Sequence, residues 1–409
     1  MLSKFIPVTL TLALFACSTS SELPPKVGAL EPWCEPIADI LDAGHRAFPD
    51  GFRSNITTLQ PFNGRLWIGY GDSAVNLGSK APVEFRWIQD ASQPDVQVAE
   101  VLAEGQGAPQ RSNGDTGEEQ IEPFRIIEGH LCQPGVDSID ADEAWTQARD
   151  PALLIEGNFF RLEEADSTPI WRKFRSVPGG EHVHDLAWHA GAMWAVGSGA
   201  DVRAEFSQGE VFRYLWRSED LGATFSTVLR VRVPVVGGWD TRFKRLLAVG
   251  QSLYVFGYTH PFRDGGPRTG SSIVLRDGTI EELSGPIASL FVNRSYSLTP
   301  DEGIAVAVAA GGRTRSFLVR DGSISEIEGW GDRRVIDLAP HPESGGFLLL
   351  SGSQSSDTGC RVEWFSASQP QELQEVMAHA DLQASAIAWY DGALILGTWS
   401  GVLLRAAQN

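Results

Sequence analysis

The sequence has few cysteines and far fewer basic than acidic residues, and both shortages limit what the protein does. It contains 409 residues but four Cys, and no Cys-x-x-Cys or Cys/His cluster indicates a zinc site. Lys accounts for 5 of its 33 basic residues, and 52 acidic residues give a formal net charge of −19. A chain this acidic repels nucleic acid phosphates and anionic lipid headgroups. We therefore predict no nucleic acid partner and no zinc centre.

Long amphipathic helices are also missing from the pattern. No heptad and no sustained 3.6-residue periodicity occurs, apart from a short helical pattern at Pro36–Ala43. The sequence instead has 43 Gly and three Met, a balance that favours turns and strands over helices. Hydrophobic residues make up 42% of the chain, which is typical of a globular domain with a packed core.

The N-terminus has the parts of a secretory signal. Lys4 supplies one positive charge, residues 5–16 are almost wholly apolar, and Cys17 follows. Twelve helical residues rise about 18 Å, which is too short for a hydrocarbon core of about 30 Å. The ending Leu14-Phe15-Ala16-Cys17 resembles the lipobox of bacterial lipoproteins, although Phe15 is bulkier than the residue usual there. The resemblance implies cleavage before Cys17 and acylation of its thiol.

The residue after Cys17 indicates a destination. Ser18 stands there rather than Asp, and in Gram-negative lipoproteins this pattern accompanies sorting to the outer membrane. We expect an outer-membrane lipoprotein, periplasmic or surface-facing, that contacts outer-membrane lipid through Cys17. The alternative is an ordinary signal peptide that is cut nearby. The expected organisation is a signal peptide at 1–16, a lipidated Cys with a flexible tether at 17–31, and a folded domain at 32–409. Disulfides are permitted in this compartment, and Cys34, Cys132 and Cys360 allow at most one.

A short pattern recurs seven times: a turn residue, an apolar strand and then, in most copies, Gly. Its clearest copy is Asn63-Gly64-Arg65-Leu66-Trp67-Ile68-Gly69. The central apolar residues lie 43 to 65 residues apart, at Leu66, Leu131, Met193, Leu253, Ile304, Phe347 and Leu394. Periods of about 40–50 residues, lengthened by loop insertions, indicate one four-stranded sheet per repeat. We predict an all-β protein, a β-propeller of seven four-stranded blades. The last repeat lacks a fourth strand, for which the segment Pro36–Phe48 is a candidate.

One motif is more specific than the repeat. The run from Ser218 to Phe225 fits Ser-x-Asp-x-Gly-x-Thr-Phe in full. We expect a hairpin turn in which a carboxylate accepts backbone N–H bonds, Gly takes a φ that other residues avoid, and Phe packs inward. The pattern resembles the Asp box, or BNR repeat, of sialidase-like propellers, where it joins two outer strands on the face away from the ligand. The resemblance implies a structural role for Ser218, Asp220, Gly222, Thr224 and Phe225.

A ligand site is expected at one end of the propeller axis. Loops that follow the second strands and precede the first strands gather there, and they carry Tyr70, Asp72, Asp137, Asn158, His182 and Asp185. These side chains would suit a glycan, a peptide or a cation. The alternative is that the Asp and Asn residues shape Gly-rich turns and that His caps a strand. The acidic run from Asp137 to Asp142 does not match an EF-hand, so calcium lacks support and no cofactor is predicted.

Three functions fit this pattern. We favour a non-enzymatic binding protein whose partner is a glycan or an envelope protein, with no catalytic residues. A scaffold for envelope complexes would instead show an exposed hydrophobic patch. The third function is a sialidase-like glycoside hydrolase or lyase. That family has a Phe-Arg-Ile-Pro motif, three arginines for a carboxylate and a Tyr–Glu pair, and Phe124-Arg125-Ile126-Ile127 matches three of the four motif residues.

Overall fold

The structure is a computed structural model that describes most of the chain. The described residues are 26–34, 55–73, 78, 82–92, 94–104, 110–111, 114–139, 151–165, 168–232, 239–261, 269–309, 313–331, 333–355 and 358–407. The predicted signal peptide, Cys17, the first part of the tether and the segment Pro36–Phe48 lie outside them. Within the described ranges, no helix is both long enough and apolar enough to cross a membrane.

The strands form seven sheets that are arranged in a ring, so the predicted all-β, seven-bladed propeller is confirmed. Blade 1 contains β2 (Ile56–Phe62), β3 (Arg65–Tyr70), β4 (Arg86–Ile88) and β5 (Gln97–Val98). Blade 2 contains β6 (Glu100–Glu104), β7 (Arg125–Ile127), β8 (His130–Pro134), β9 (Glu156–Ala165) and β10 (Thr168–Pro178). Blade 3 contains β11 (His182–His189), β12 (Ala192–Gly199), a short helix α1 (Arg203–Ser207), β13 (Phe212–Ser218) and β14 (Ser226–Arg232).

The other blades follow the same order along the chain. Blade 4 contains β15 (Trp239–Val249), β16 (Ser252–Pro261), β17 (Thr269–Gly270), β18 (Ile273–Arg276) and β19 (Thr279–Glu282). Blade 5 contains β20 (Phe291–Thr299), β21 (Glu302–Val308), β22 (Thr314–Arg320) and β23 (Ser323–Glu326). Blade 6 contains β24 (Arg333–His341), β25 (Gly346–Ser353), β26 (Cys360–Phe365) and β27 (Gln374–His379). Blade 7 contains β28 (Ala384–Tyr390), β29 (Ala393–Thr398), β30 (Leu403–Ala407) and β1 (Glu31–Cys34).

The seven sequence repeats are the second strands of the blades: β3, β8, β12, β16, β21, β25 and β29. Every residue of β3, β12 and β29 is buried, because a second strand is covered on both faces by the neighbouring blades. Such a strand is apolar at nearly every position, which explains why the repeat was visible in the sequence. The outer strand β14 alternates between exposed and half-buried residues and carries little of this signal.

Aromatic side chains fill the layers between neighbouring blades. The ring of Phe85 in blade 1 stacks on Trp171 of blade 2 with 3.9 Å between ring centroids. Trp67 meets the same indole edge to face, with centroids 5.3 Å apart. At the junction between blades 7 and 1, the Tyr390 hydroxyl donates a hydrogen bond to the carbonyl oxygen of Gln89 at 2.5 Å. The core is therefore a series of layers between blades rather than a single central cluster.

The two ends of the described chain meet in blade 7. Strand β1 pairs antiparallel with β30, and Glu31 lies opposite Arg405. The indole N–H of Trp33 donates to the carbonyl oxygen of Ala91 at 2.8 Å, which attaches the same strand to blade 1. The fourth strand of the last blade is thus β1, four residues with Pro32 at an edge where proline is tolerated.

Blade 2 has an additional outer strand. Strand β6 runs parallel to β10, with Glu100 opposite Ile170, and makes this sheet five-stranded. The Gln110 side chain accepts a hydrogen bond from the Ala103 N–H at 2.8 Å and donates one to the Val101 carbonyl at 2.7 Å. These bonds occupy backbone groups on the outer edge of β6, an edge that would otherwise invite pairing with another chain.

Two cysteines are described with their side chains, and both are free thiols. Cys132 lies in β8 and Cys360 in β26, and both are buried. Burial raises the pKa of Cys132 to about 12 and that of Cys360 to about 11. These thiols are therefore protonated and unreactive at neutral pH.

Candidate functional site

The first strand of each blade lies nearest the propeller axis, and most of these strands carry a β-bulge at the same place. The register shifts occur at Ile56/Thr58, Val183/Asp185, Phe243/Arg245, Val292/Arg294, Val335/Asp337 and Ala384/Ala386. A bulge adds one residue to a strand and changes the direction of the side chains around it. Six of the seven described first strands thereby aim residues from the bulge at the axis.

A buried ion cluster lies on the propeller axis, at the centre of the channel that the first strands enclose. The Glu122 carboxylate accepts hydrogen bonds from Lys244, at 2.8 Å, and from the Arg245 guanidinium. Burial acts to raise the pKa of Glu122, but Arg245, Lys244 and Arg294 outweigh burial and hold that pKa well below its usual range. Burial also lowers the pKa of Lys244 to about 8, despite the opposing effect of Glu122. Glu122 is therefore ionised at neutral pH and holds two cations together.

Asp185 is the most fully engaged carboxylate in the channel. It accepts a bidentate pair of bonds from Arg125, at 2.7 Å from Nε and 2.9 Å from Nη2. It also accepts the backbone N–H groups of Leu186 and Leu246, each at 2.9 Å. Because Leu246 belongs to blade 4, this one side chain joins blades 2, 3 and 4 at the axis.

Asp337 has the same role on the opposite side. It accepts the Tyr296 hydroxyl at 3.0 Å and the backbone N–H groups of Leu338, at 2.9 Å, and Ile387, at 3.0 Å. Burial raises the pKa of Asp337, although Arg294 opposes the effect. Burial and the neighbouring carboxylate also raise the pKa of Tyr296, so this phenol stays protonated.

Arg294 lies between these groups without a hydrogen bond of its own. Its nearest charged neighbours are Asp337 and Glu122, which interact with it through space. Within the described residues its guanidinium donates to no acceptor, unlike Arg125 and Arg245. The centre of the channel therefore contains a guanidinium whose five donors are not used by any described part of the chain.

A second group of ionisable side chains lies where the first strands begin. His182 Nε2 is 3.5 Å from Asp137, and its Nδ1 is 3.3 Å from Glu181. Burial and Arg242 act to lower the pKa of His182, but the two carboxylates outweigh them and raise it to about 10. The pKa of His184 is instead lowered, by burial and by the adjacent cations Lys244 and Arg242. His182 is thus cationic and His184 neutral, although their rings are 5.7 Å apart.

The structure brings together some of the six residues proposed from the sequence. Asp137 and His182 are in contact at the end where the first strands begin. Asp72 is half-buried at the same end of blade 1. Asp185 lies deeper, with its carboxylate occupied by an arginine.

The other two residues are buried in networks of their own. The Tyr70 hydroxyl accepts the Glu84 N–H at 2.9 Å and Nε of Arg86 at 3.1 Å, and the ring is buried. The Asn158 amide donates to Glu118 at 2.6 Å and to Ser138 at 3.0 Å, and it is also buried. Both hold loops of blades 1 and 2 in place. Asp140 and Asp142 lie outside the described residues.

A cavity of about 610 Å³ lies on the axis and is named here the axial cavity. Its floor is formed by Glu122, Arg125, Arg245, Arg294, Tyr296 and Asp337. Its rim includes Ile126, Ser297, Leu298, Pro340 and Pro342. Leu298 and Pro340 lie near the ends of their first strands, so the cavity opens at the end where first strands turn into second strands. That is the end opposite to the Asp137–His182 contact.

A neighbouring cavity of about 570 Å³ opens at the same end. It shares Arg125, Ile126 and Leu298 with the axial cavity and reaches the turns at Ala190 and Gly250. Sequence reasoning did not identify Glu122, Arg294, Tyr296 or Asp337 as site residues. The available signal was the presence of charged residues inside first strands, such as Arg294 in β20 and Asp337 in β24.

The turn at Ser218–Phe225 lies between β13 and β14, also at this end. The Asp-box resemblance implied a ligand on the opposite face, so the axial cavity does not lie where that resemblance places a ligand. The Asp220 carboxylate accepts the Thr224 N–H at 2.9 Å and the Thr224 hydroxyl at 2.7 Å. Gly222 has a φ of 87°, and a Cβ built there would lie 2.0 Å from the ring of Phe159 in blade 2. Phe225 packs edge to face on the same ring, with centroids 5.7 Å apart. The turn therefore joins blade 3 to blade 2.

Metal ligands are sparse in the part of the chain that the structure describes. No group of three His, Cys, Asp or Glu residues there is arranged to hold a metal ion. The charged groups of the channel are instead paired with one another or, at Arg294, face the cavity.

Comparisons with known proteins identify the fold. No family model matches the chain, and no curated protein matches it. A polysaccharide lyase of family PL25, an ulvan lyase, is 13% identical, with a TM-score of 0.50 over 88% of this chain and 94% of the lyase. The β-propeller domain of the Trilobed protease from Pyrococcus furiosus is 8% identical, with a TM-score of 0.47 over 88% of this chain and 96% of that domain. The WD40 propeller domain of Doa1 is 11% identical, with a TM-score of 0.45 over 88% and 95% of the two chains. At these identities the similarity shows the fold alone, that of a β-propeller.

Proposed function

We propose that the protein is a lipid-anchored, cell-envelope β-propeller that binds a glycan or a protein in its axial cavity. In this proposal it has a binding or scaffolding role and uses no cofactor. The observation that carries it is Arg294, a guanidinium without a hydrogen bond at the floor of a cavity of about 610 Å³. A largely buried cation whose donors are unused is suited to receive an acceptor group from outside the chain.

The charge of the channel supports an acceptor-rich ligand. The chain has a net charge of −19, so most of its surface repels anions. Four cations face three carboxylates at the floor and just behind it: Arg125, Lys244, Arg245 and Arg294 against Glu122, Asp185 and Asp337. A local excess of positive charge in an acidic protein favours an anionic or strongly polar ligand at this position.

The axial cavity is a better candidate than the opposite end of the channel. Tyr70 and Asn158 are committed to bonds within blades 1 and 2, and the Asp185 carboxylate is occupied by Arg125. The negative charge of Asp137 and the positive charge of His182 neutralise one another. The ring of His182 there lies between two carboxylates, whereas Arg294 has no hydrogen bond within the described residues.

Binding is tested with the full processed chain and a pool of acidic and neutral oligosaccharides and peptides. Mass spectrometry follows both retention and cleavage of each compound. We expect retention without turnover, and we expect Arg294→Gln to abolish it. Arg232→Gln is the control, because Arg232 is exposed on the outer strand of blade 3. If both variants retain the ligand equally, the ligand binds elsewhere and the axial cavity is not the binding site.

The anchor is proposed from the sequence. The run Leu14-Phe15-Ala16-Cys17 and the apolar segment before it support lipidation at Cys17. The resemblance of Ser218–Phe225 to an Asp box supports a place among sialidase-like propellers, with a ligand site that differs from theirs, because the axial cavity opens at the end that carries this turn. Cys17→Ser is expected to release the protein from the outer-membrane fraction into the soluble fraction. Persistence of the variant in the membrane fraction would contradict lipid anchoring.

A second function, glycoside hydrolysis or lyase chemistry, is favoured by one contact. The Tyr296 hydroxyl is hydrogen-bonded to Asp337 and lies beside Arg294 on the cavity floor. Burial and Asp337 raise the pKa of Tyr296, so at neutral pH this phenol is protonated and would orient a substrate through hydrogen bonds. Turnover of an oligosaccharide that is lost in Tyr296→Phe would replace the binding proposal with this one.

A further inference from the structure

We propose that the axial cavity binds the C-terminal carboxylate of a polypeptide whose last residues are apolar. The inference rests on the binding function proposed above and specifies the partner. In this arrangement the carboxylate lies on the guanidinium of Arg294 and the apolar side chains of the partner lie against the rim.

The floor of the cavity has the geometry that a carboxylate requires. A guanidinium presents paired N–H donors that match the two oxygens of a carboxylate, and such bidentate bonds are stronger than neutral ones. Arg125 and Arg245 already direct donors to Asp185 and Glu122, so they add positive charge without competing for the ligand. Arg294 is left as the group that receives the anion. Asp337 and Glu122 lie near it but accept no hydrogen bond from it.

The rim is apolar where a ligand would leave the cavity. Ile126 is 52% exposed, which places it among the exposed large hydrophobic residues of the described chain. It lies between the axial cavity and the neighbouring one, with Leu298 beside it in both. Pro340 and Pro342 are exposed on the same rim. A ligand with a charged end and an apolar body matches this order of polar floor and apolar rim.

Acidic sugars match the rim less well. Sugar rings bind to exposed aromatic faces and to many hydrogen-bonding groups. In this cavity Tyr296 of the floor is half-buried and the large rings of the wall are covered. Phe124 and Trp389 are 4% exposed and Phe347 is 8% exposed. Ser297 is the exposed hydroxyl of the rim. An apolar peptide end needs neither an exposed ring nor a dense set of donors.

The size of the cavity fits a chain end. Its volume of about 610 Å³ lies in the range of sites that hold ligands of drug-like size, about 300–1,000 Å³. That space suits the end of an extended peptide and excludes a folded domain. A free C-terminus also reaches a narrow axial opening more readily than an internal segment, because one chain rather than two must pass the rim.

The test uses the full processed protein and N-acetylated tetrapeptides that end in leucine or valine. Each peptide is prepared as the free acid and as the C-terminal amide, and binding is measured by isothermal titration calorimetry. We expect the free acid to bind at least about tenfold more tightly than the amide, since a charge-assisted hydrogen bond is lost in the amide. Equal affinities for acid and amide would overturn the proposal.

Variants locate the site. Arg294→Gln is expected to weaken binding of the free acid at least about tenfold and to remove the preference over the amide. Arg294→Lys keeps the charge but not the paired donors, and we expect an intermediate loss. Ile126→Asp is expected to weaken binding of the free acid and of the amide alike, because it places a charge on the apolar rim. Arg232→Gln should bind as the unaltered protein does, and a loss of binding in that variant would overturn the assignment.

A separate set of titrations distinguishes failure of the peptide proposal from failure of the proposed binding function. Glucuronic acid and N-acetylneuraminic acid are titrated beside the peptides, with galactose as a neutral sugar. Tighter binding of an acidic sugar would overturn the peptide partner and leave the proposed binding function standing. Absence of binding for every peptide and every sugar would overturn both. If Arg294→Gln fails to fold, Ser297→Trp blocks the opening from the exposed rim and must abolish peptide binding.

Discussion

Removal of the Asp185 carboxylate is the most demanding test of how the channel holds the blades together. Four hydrogen bonds end on this side chain, two from Arg125 and one each from the backbone N–H groups of Leu186 and Leu246. Asp185→Ala leaves a partly buried guanidinium without its counterion and two buried N–H groups without an acceptor. Loss of one partner of a buried ion pair costs about 3–5 kcal/mol of the free energy of unfolding.

The expected shift in melting temperature follows from the size of the protein. An entropy of unfolding of about 2.1 cal/mol/K per residue gives roughly 0.86 kcal/mol/K for a chain of 409 residues. A loss of about 3–5 kcal/mol therefore lowers the melting temperature by about 4–6 °C. Differential scanning calorimetry at neutral pH measures this shift. Glu282→Ala, at an exposed position of β19, is the matched control and should leave the transition unchanged.

A second substitution separates the ion pair from the backbone bonds. Adding Arg125→Met to Asp185→Ala removes the unpaired cation, so part of the lost stability should return. The two N–H groups remain unsatisfied, and the double variant should stay below the unaltered protein. An Asp185→Ala transition within about 1 °C of the Glu282→Ala control would show that the channel contacts do not hold the ring, and would refute the reasoning.

Three further predictions concern the turn, the channel and the thiols. Gly222→Ala should lower the free energy of unfolding by at least about 1 kcal/mol more than Gly129→Ala does. Both glycines have a left-handed φ, but a Cβ meets the ring of Phe159 only at Gly222. Equal melting temperatures of the two variants would contradict this. The pKa of His182 is raised to about 10 from an ordinary 6.5, so its stabilisation is complete below about pH 6.5 and is lost as the pH rises toward 10. Chemical denaturation should show a decline of up to about 1.4 kcal/mol per pH unit in that window, and a slope that is unchanged in His182→Gln would exclude the assignment. Cys132, with its pKa raised to about 12, should resist iodoacetamide at pH 8 in the folded protein and react after unfolding; rapid labelling of the native thiol would contradict its burial.

The sequence was sufficient to predict the architecture because its strongest signal came from the second strands. Runs such as Leu66–Gly69 and Leu394–Gly397 are covered on both faces, so their apolar character does not depend on details of register. The closing strand gave no comparable signal. Glu31–Cys34 is four residues long and lies at an edge, and its partner is at the other end of the chain. Edge strands of this kind carry neither alternation nor a continuous apolar run.

The candidate site was harder to predict, because it depends on bulges. A single-residue shift decides which of two neighbours lines the axial cavity: Arg245 rather than Lys244, and Arg294 rather than Asn293. Sequence patterns do not specify such a shift, since it reflects how each first strand twists against its neighbour. Asp137 and His182 were expected at one end of the axis because loop position follows from strand order, and the structure shows their side chains in contact. The cavity floor was missed because its residues come from strand interiors, where charge is uncommon.

The closure of blade 7 has a consequence for the order of folding. Strand β1 is synthesised before every other strand of the ring and its partner β30 after them, and the pair joins Glu31 to Arg405. Loop-closure entropy makes such a pairing late and slow. Until it forms, the outer edge of β30 is a template for any strand in reach, including β1 of another copy. Ring closure therefore competes kinetically with exchange of β1 between molecules, and the local concentration of unfinished chains decides which pairing is reached first.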